Sequence, residues 1–369
     1  MDVQDAFVTD GDLHGSYDRR DVTFLLKPIV AEHVDVAEKE KAIQSGKRHY
    51  SEMISIEKAP DPRSMELYEE AMAMNGERLA RDVASLAAAL GLRPRSEAGI
   101  AIVSLARGGT AIGVLIHRAL GLMGVKSTHH SVSIVRDRGL DLNAMRRILR
   151  THEPRDVVFV DGWTGKGAIT KELGGERGSR AVGVEPFLVV VADPAGCADL
   201  AASGEDYVIP SGILNGIVSG LVSRTILNDQ IGPDDFHGTV LFGHLTAHDV
   251  TRDFVDRITT HMGPIVGKVP PAVWSEGRRA PLKATCRRML DAIAEAAGVA
   301  NPNNVKPSIA EATRAVLRRV PDRLYLKDVA DPAVAHLVHL AHTKGVAIEP
   351  MPVDTHYRAV TVIRSSSAE

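Results

Sequence analysis

Apolar residues in the first third of the chain follow a helical rhythm. From Ser64 to Leu90 they recur every three or four positions, and Gly91 then supplies a helix-ending signal. The apolar set is Leu67, Ala71, Met74, Leu79, Val83, Leu86 and Leu90. Since residues three or four apart lie on one helical face, the spacing predicts a single amphipathic helix.

The rhythm then changes to short apolar runs, each followed by sequence of helical character. The runs are GIAIVSL (99–105), HSVSIV (130–135), VVFVDG (157–162), FLVVVADP (187–194) and TVLFGH (239–244). Apolar strands that alternate with helices are typical of a parallel sheet covered on both faces. The pattern predicts an α/β fold with a Rossmann-like sheet, whose ligands would bind at the carboxyl ends of the strands.

The segments that flank these runs suggest a division of the chain. Residues 1–62 are predicted to form an irregular N-terminal extension, and residues 63–267 the main domain. Residues 268–302 are predicted to be a linker and a helix, because KVPPAVWSEGRRAP is rich in proline, glycine and charge. Residues 303–366 then form a small separate α/β unit.

Composition narrows the class of protein. A chain of 369 residues exceeds one ordinary core, and a formal net charge of −3 provides no global basic field for nucleic acid. Two cysteines exclude a disulfide scaffold and a four-cysteine zinc site, and they fit a reducing compartment. No stretch resembles a signal peptide or a membrane span. We therefore expect a cytoplasmic protein with no membrane contact.

Two glycine-marked loops follow two of the apolar runs. SLARGGT (104–110) carries an arginine, and DGWTGKGA (161–168) carries a lysine. Glycines let an anion approach the backbone, and a helix N-terminus offers unpaired N–H groups. The two loops predict a ligand with two phosphate-type groups, with Asp161 binding ribose hydroxyls or a magnesium ion.

These loops resemble a known enzyme family. VVFVDGWTGKGA looks like the phosphoribosyl-pyrophosphate loop of type I phosphoribosyltransferases, and SLARGGTAIGVLIHRALG looks like their pyrophosphate loop. FLVVVADPAGCADLAASGEDYVIP resembles the segment that contacts the base in those enzymes. The resemblance covers roughly residues 97–215. It implies transfer of 5-phosphoribosyl from phosphoribosyl pyrophosphate to a nitrogenous base or similar small nucleophile, with Mg²⁺ as cofactor.

A narrower resemblance spans nearly the whole chain. HYSEMIS, DGWTGKGAI, YVIPSGILNGIVSGLVSRTIL, IAEATRAVLRRVP and YRAVTVIR look like a bacterial subfamily linked to tellurite-resistance or biosynthetic operons. Its members join a phosphoribosyltransferase-like domain to a C-terminal domain of the Pelota/L7Ae RNA-binding type. Part of this subfamily is labelled cysteine protease StiP, which supplies a rival function. The resemblance also implies an RNA partner for the C-terminal domain and, since relatives commonly dimerise, a homodimer.

The resemblance assigns roles residue by residue. Asp161, Arg107 and Lys166 would act in catalysis, and Asp193 would contact the base. Pyrophosphate would be held by Arg107, Gly108, Gly109 and Thr110, with a cis peptide at Ala106–Arg107. Ribose phosphate would be held by Asp161, Gly162, Thr164, Gly165, Lys166, Gly167 and Ala168. Gly162 stands where the family usually has a second acid, and no side chain is predicted as a direct metal ligand.

Other candidates carry weaker signals. A cysteine protease would use Cys197 as nucleophile, although no family-type protease signature surrounds it. Arg136 and Arg138 follow a strand, and either bind a ligand or are solvated loop charges. Three arginines of the C-terminal segment lie at helical spacing: Arg314, Arg318 and Arg319. They form either a stripe that faces phosphate groups or one solvated face of the helix. A third function is a non-catalytic nucleotide- or RNA-binding regulator.

Overall fold

A computed structural model of the protein describes residues 7–364. The outer residues of the predicted N- and C-terminal segments, 1–6 and 365–366, lie outside this range. The helices are α1 Val36–Gln44, α2 Pro62–Gly91, α3 Thr110–Leu122, α4 Leu142–Ile148, α5 Ala168–Gly174, α6 Thr251–Met262, α7 Glu276–Ala297, α8 Ile309–Arg318 and α9 Ala335–Lys344. None of them combines the length and the apolar character needed to cross a bilayer.

The strands form one large sheet, one four-stranded sheet and smaller pairings. They are β1 Val8–Thr9, β2 Asp12–Leu13, β3 Thr23–Leu25, β4 Lys27–Pro28, β5 Ile100–Leu105, β6 Ser127–Val132, β7 Ile134–Val135, β8 Gly139–Leu140, β9 Val157–Trp163, β10 Leu188–Ala192, β11 Leu200–Ser203, β12 Gly238–Thr239, β13 Val305–Pro307, β14 Pro321–Leu326, β15 Ala347–Pro350 and β16 Ala359–Ile363.

The large sheet has the order β1-β2-β3-β6-β5-β9-β10-β11. Its pairings from β3 to β11 are parallel, and only the β1–β2 and β2–β3 pairings are antiparallel. Residues of β5, β9 and β10 are buried along their whole length, as expected for strands covered on both faces. The predicted parallel α/β sheet is therefore confirmed.

The predicted helix from Ser64 to Leu90 is also confirmed, as α2. It begins at Pro62, where the Asp61 side chain accepts from the Ser64 backbone N–H, and it ends at Gly91. Its buried face packs on the sheet side that also holds α3 and α6. This helix therefore covers one face of the large sheet.

Two strand predictions are wrong. The run TVLFGH contributes only β12, which pairs with β4 outside the large sheet. Phe242 of that run is buried in the core from an irregular segment, so its hydrophobicity reflects packing and not strand pairing. The N-terminal segment, predicted to be irregular, instead adds β1, β2 and β3 to the sheet.

The C-terminal part forms a four-stranded sheet of order β13-β16-β14-β15, with α8 packed against β16. This part is attached to the main sheet by buried polar contacts. The Asp206 carboxylate accepts from the backbone N–H groups of Ile309 (2.9 Å) and Arg358 (2.8 Å). A small separate α/β unit is thus present, packed closely against the large sheet. The predicted bounds of the four segments stay predictions.

Candidate functional site

The loops that follow β5 and β9 meet at one edge of the large sheet, as predicted. The two strands are parallel neighbours, with Ser104 paired to Val160. Gly108 lies beside the Asp161 carboxylate and the Arg314 guanidinium. Arg314 belongs to α8, so a helix of the C-terminal part faces this edge directly. The strand-end loops and α8 together enclose a cavity.

Arg107 does not face that cavity. The Ala106–Arg107 peptide is cis, as the resemblance implied, and the Arg107 side chain turns inward, with 3% of the residue exposed. Its guanidinium donates to the Val222 carbonyl at 2.6 Å and pairs with the Glu57 carboxylate. Burial alone would raise the pKa of Glu57, but the charges of Arg107 and Arg318 outweigh burial and lower this pKa. The pair is a buried structural contact.

The glycines of the second loop make room for protein. A Cβ atom at Gly165 would lie 2.8 Å from Glu311 Cγ and 2.9 Å from the Pro307 carbonyl oxygen. Gly167 has φ +81°, and a Cβ there would lie 2.7 Å from Cys197 Sγ. The sequence signal for a ligand-cradling loop therefore has a different cause, because the C-terminal part and Cys197 pack against this backbone.

Lys166 lies between these glycines and lines the cavity. Its ammonium donates to the carbonyls of Pro302 and Val305, and burial lowers its pKa to about 8. Asp161 is buried with one oxygen accepting from the Gly162 backbone N–H. Burial raises the pKa of Asp161 to about 6 although Arg314 opposes the shift.

The remaining predicted residues are distributed around this edge. Gly108, Thr164 and Ala168 line the cavity, whereas the Thr110 hydroxyl bonds to Ser131 in the interior. Asp193 is fully buried and organises its own turn. Its carboxylate accepts from the side chains of Thr164 and Trp274 and from the backbone N–H groups of Cys197 and Ala198. The base-contact role of Asp193 stays a prediction, and in this structure its oxygens are occupied.

Cys197 lies at the end of the Asp193 turn and is half-buried. Its thiol donates to the Ala195 carbonyl at 3.3 Å. Burial, followed by the charge of Asp193, raises the pKa of Cys197 to about 12. The resting thiol is therefore protonated at neutral pH.

An imidazole approaches the same turn from the C-terminal part. His356 Nε2 lies 2.6 Å from the Pro194 carbonyl oxygen, and its ring stacks on Tyr357 at 4.6 Å. Burial lowers the pKa of His356, so the ring is neutral at pH 7. Sequence reasoning missed His356, because about 160 residues separate it from Cys197 and no local motif links the two.

The cavity at the sheet edge, here called the central cavity, has a volume of about 310 Å³. Its positively charged lining residues include Lys166 of the glycine loop and, from other segments, Lys39, Arg136, Arg224, Lys306 and Arg318. Arg314 and Arg319 also reach it, so the predicted arginine stripe of α8 faces inward. Sequence reasoning missed Lys39, Arg224 and Lys306, since each lies in a segment with no strand-end signal.

The magnesium prediction stays untested. Within residues 7–364, no three or more histidine, cysteine, aspartate or glutamate side chains come together in a geometry that could hold a metal ion. Asp161 and Glu311 are the acidic residues among those that line the central cavity, and cations flank both. The sequence analysis predicts no side chain as a direct metal ligand, so magnesium would have been bound through the pyrophosphate group of the substrate.

Comparison with known proteins gives two family matches. A family model described as "Tellurite-like stress resistance cysteine protease StiP" matches residues 15–259. A model described as "PELOTA RNA binding domain" matches residues 284–365. A protein of Acinetobacter baylyi named "Cysteine protease StiP" is 42% identical over an alignment of 365 residues that covers 95% of this chain and 94% of that protein.

These matches overturn the phosphoribosyltransferase prediction. The model that covers the strand-end loops is described as a cysteine protease, and the curated relative bears the same name. The transferase activity is therefore wrong, and phosphoribosyl pyrophosphate and a base are not supported as partners. The rival cysteine-protease reading and the Pelota-like domain agree with the matches. The error arose from the pair of glycine loops, whose glycines make room for protein. Gly165 and Gly167 make room for the C-terminal part and Cys197, and Gly109 makes room for the backbone of β9.

Proposed function

The chain belongs to the StiP family of tellurite-like stress resistance cysteine proteases, and from this premise we propose that it is a cysteine protease whose nucleophile is Cys197. The observation that carries the assignment is exposure. Cys286 is 5% exposed inside an apolar cluster, whereas Cys197 is half-buried at the edge of that cluster, in a turn beside the glycine loop. A nucleophile must reach substrate, which favours Cys197. Free thiols persist in a reducing compartment, so a cytoplasmic location is part of the proposal.

His356 is the proposed general base. Its Nε2–H donates to the Pro194 carbonyl, which leaves Nδ1 unprotonated and able to accept a proton. The proposed centre has three parts: the Cys197 thiol, the neutral His356 imidazole and the Pro194 carbonyl that orients the imidazole. The thiol must turn away from the Ala195 carbonyl before it can transfer its proton to His356, because its S–H donates to that carbonyl in the resting geometry.

The chemistry follows from these roles. The Cys197 proton moves to His356 Nδ1 as Sγ bonds to the scissile carbonyl carbon, and the C–N bond breaks when the imidazolium protonates the leaving amine. Water, deprotonated by the same imidazole, then hydrolyses the thioester and restores the thiol. Each step uses only the peptide, water and the two named side chains.

Covalent labelling tests the assignment of the thiol. We expect a peptide-based electrophile to modify Cys197 and leave Cys286 unmodified, as read by mass spectrometry of the digested protein. Iodoacetamide, which makes no peptide contacts, should label Cys197 roughly a thousandfold more slowly at pH 7 than it labels a free cysteine, since the thiolate fraction follows the raised pKa. Modification of Cys286 alone would contradict the proposal.

RNA binding is a second candidate function, favoured by the match of residues 284–365 to the Pelota RNA-binding model. The arginines of α8 face the central cavity, so they are not available to an RNA strand on the outer surface of the protein. Arg287 and Arg288 of α7 lie inside the matched range and are exposed, and neither pairs with a carboxylate of residues 7–364. We infer that RNA phosphates would contact the middle of α7 at these two arginines.

The salt dependence of RNA affinity tests the contact with Arg287 and Arg288. The double substitution Arg287→Ala and Arg288→Ala should weaken binding of a labelled single-stranded RNA and reduce the slope of log affinity against log salt by about 1.4. Fluorescence anisotropy of the full chain at several salt concentrations gives both values. Arg146→Ala, at an exposed arginine of α4, is the matched control and should change neither. Equal slopes for the double variant and the unmodified chain would refute the α7 contact.

A further inference from the structure

The central cavity carries an excess of positive side chains. Six of its cations lie in two groups, and its acidic lining residues are Asp161 and Glu311. Lys39, Arg224 and Arg318 form the first group. Burial, and after it the charges of Arg224, Arg318 and Arg319, lower the pKa of Lys39 to about 8. The second consists of Arg136, Lys166 and Lys306. Like charges gathered in an enclosed space repel one another, so this arrangement is costly without a counterion.

The first group has guanidinium N–H groups without hydrogen bonds. Within residues 7–364, Arg224 Nη1 and Arg318 Nε are buried and have no hydrogen-bond partner. The other terminal guanidinium nitrogen of Arg224, Nη2, donates to the carbonyls of Tyr50 and Met53, which carry no charge. Arg318 donates to Asn215 and lies 3.8 Å from Glu57, which Arg107 already occupies. Buried donors of this kind normally have a partner.

The two other cations of the central cavity, Arg314 and Arg319, are paired with carboxylates of the protein. Arg319 is held by Glu40 through two hydrogen bonds of 2.6 and 2.7 Å. Arg314 lies 3.4 Å from Glu311 and over the Trp163 ring. These two are paired within the protein. Arg136 is paired as well, since its Nε lies 3.4 Å from the Asp137 carboxylate. Within residues 7–364, the positive charge without a carboxylate partner therefore lies on Lys39 and Arg224 in the first group and on Lys166 and Lys306 in the second.

We propose that the central cavity binds a small molecule that carries two phosphate groups, one against Arg224 and Arg318 and the other against Lys166 and Lys306. Guanidinium groups bind phosphate oxygens through two parallel hydrogen bonds, and ammonium groups act as point charges. A volume of about 310 Å³ suits a small ligand. Trp163 and Tyr50 supply aromatic lining for an organic body. The inference does not depend on the proposed protease activity.

Protonation of Lys306 should be coupled to ligand binding in the central cavity, so proton uptake on binding can be measured. Burial, with a further contribution from Lys166, lowers the pKa of Lys306 to about 7, and Glu311 opposes the shift while Arg136 and Arg319 add to it. A bound phosphate favours the charged ammonium and so raises that pKa. The complex should therefore take up a proton at pH 8, and affinity should fall as the pH rises from 7 to 9.

Isothermal titration of the full chain tests the proposal with inorganic diphosphate and ADP as probes, and with inorganic phosphate and AMP for comparison. We expect the diphosphate probes to bind at least tenfold more tightly than the monophosphates. Titration in buffers of different ionisation enthalpy should show proton uptake. Lys306→Met and Arg224→Met should each weaken binding at least tenfold, whereas Arg146→Met at the exposed α4 position should leave it unchanged.

Three outcomes would overturn the proposal. The first is the absence of binding by every probe up to millimolar concentration. The second is binding that is unaffected by Lys306→Met and by a folded Arg224→Met chain. The third is displacement of bound diphosphate by a short RNA, which would assign the cavity to RNA. Cys197→Ala should bind diphosphate as the unmodified chain does, which separates failure of this site from failure of the protease proposal.

Discussion

Cys197→Ala is expected to abolish peptide hydrolysis, with kcat/KM falling on the order of 10⁴-fold or more. The reason is chemical, because alanine carries no atom that can bond to the scissile carbonyl carbon. Alanine is smaller than cysteine and the position is half-buried, so the fold should be retained. Hydrolysis of quenched fluorescent peptides by purified protein, followed with and without substitution, measures the loss.

Two further variants make this test specific. Cys286→Ala, at the buried cysteine of the apolar cluster, should keep activity within a few-fold of the unmodified chain. His356→Gln preserves a donor toward the Pro194 carbonyl but removes the base, so it should lower kcat with little change in KM. Full activity of Cys197→Ala would refute the assignment, and loss of activity in Cys286→Ala alone would transfer it to the other thiol.

Local sequence patterns predicted the parts of the fold that local forces determine. Helix α2 follows from its apolar spacing, and β5, β9 and β10 follow from continuous apolar runs that need cover on both faces. Short strands were harder, because two or three residues of β1, β2 or β3 show no periodicity. Phe242 illustrates the opposite error, since an apolar run was buried by irregular packing and not by strand pairing.

The candidate site was predictable only in part, because local sequence patterns do not show which distant segments pack together. Parallel strands end at one edge, so the meeting of the β5 and β9 loops could be foreseen. The partners of those loops come from distant segments: Glu311 packs on Gly165, and His356 joins the turn of Cys197. Glycine spacing alone does not tell whether the nearby group is a phosphate or another part of the protein. The transferase prediction failed at that step.

Glu57→Ala is expected to destabilise the chain by about 3 to 5 kcal/mol, the largest stability effect that we predict. Glu57 pairs with the buried Arg107, accepts from the Gly216 backbone N–H at 2.9 Å and lies 3.8 Å from Arg318. Alanine would leave a buried guanidinium without a counter-charge, and the desolvation cost of that charge would no longer be offset. Urea unfolding, with the slope checked for two-state behaviour, gives the free energy of unfolding.

The physical cause can be separated from general damage to the core. Arg107→Met combined with Glu57→Ala should recover much of the loss, because the unpaired charge is then absent. Glu70→Ala breaks an exposed pair with Arg63 and should cost less than about 1 kcal/mol. The pKa of Glu57 is lowered in the folded chain, so its stabilisation is present above the ordinary value of 4.5 and is lost as the pH falls through the folded value. The difference between the unmodified chain and Glu57→Ala should therefore shrink in acid, and a difference below 1 kcal/mol at neutral pH would contradict the assignment of this pair as a buried structural contact.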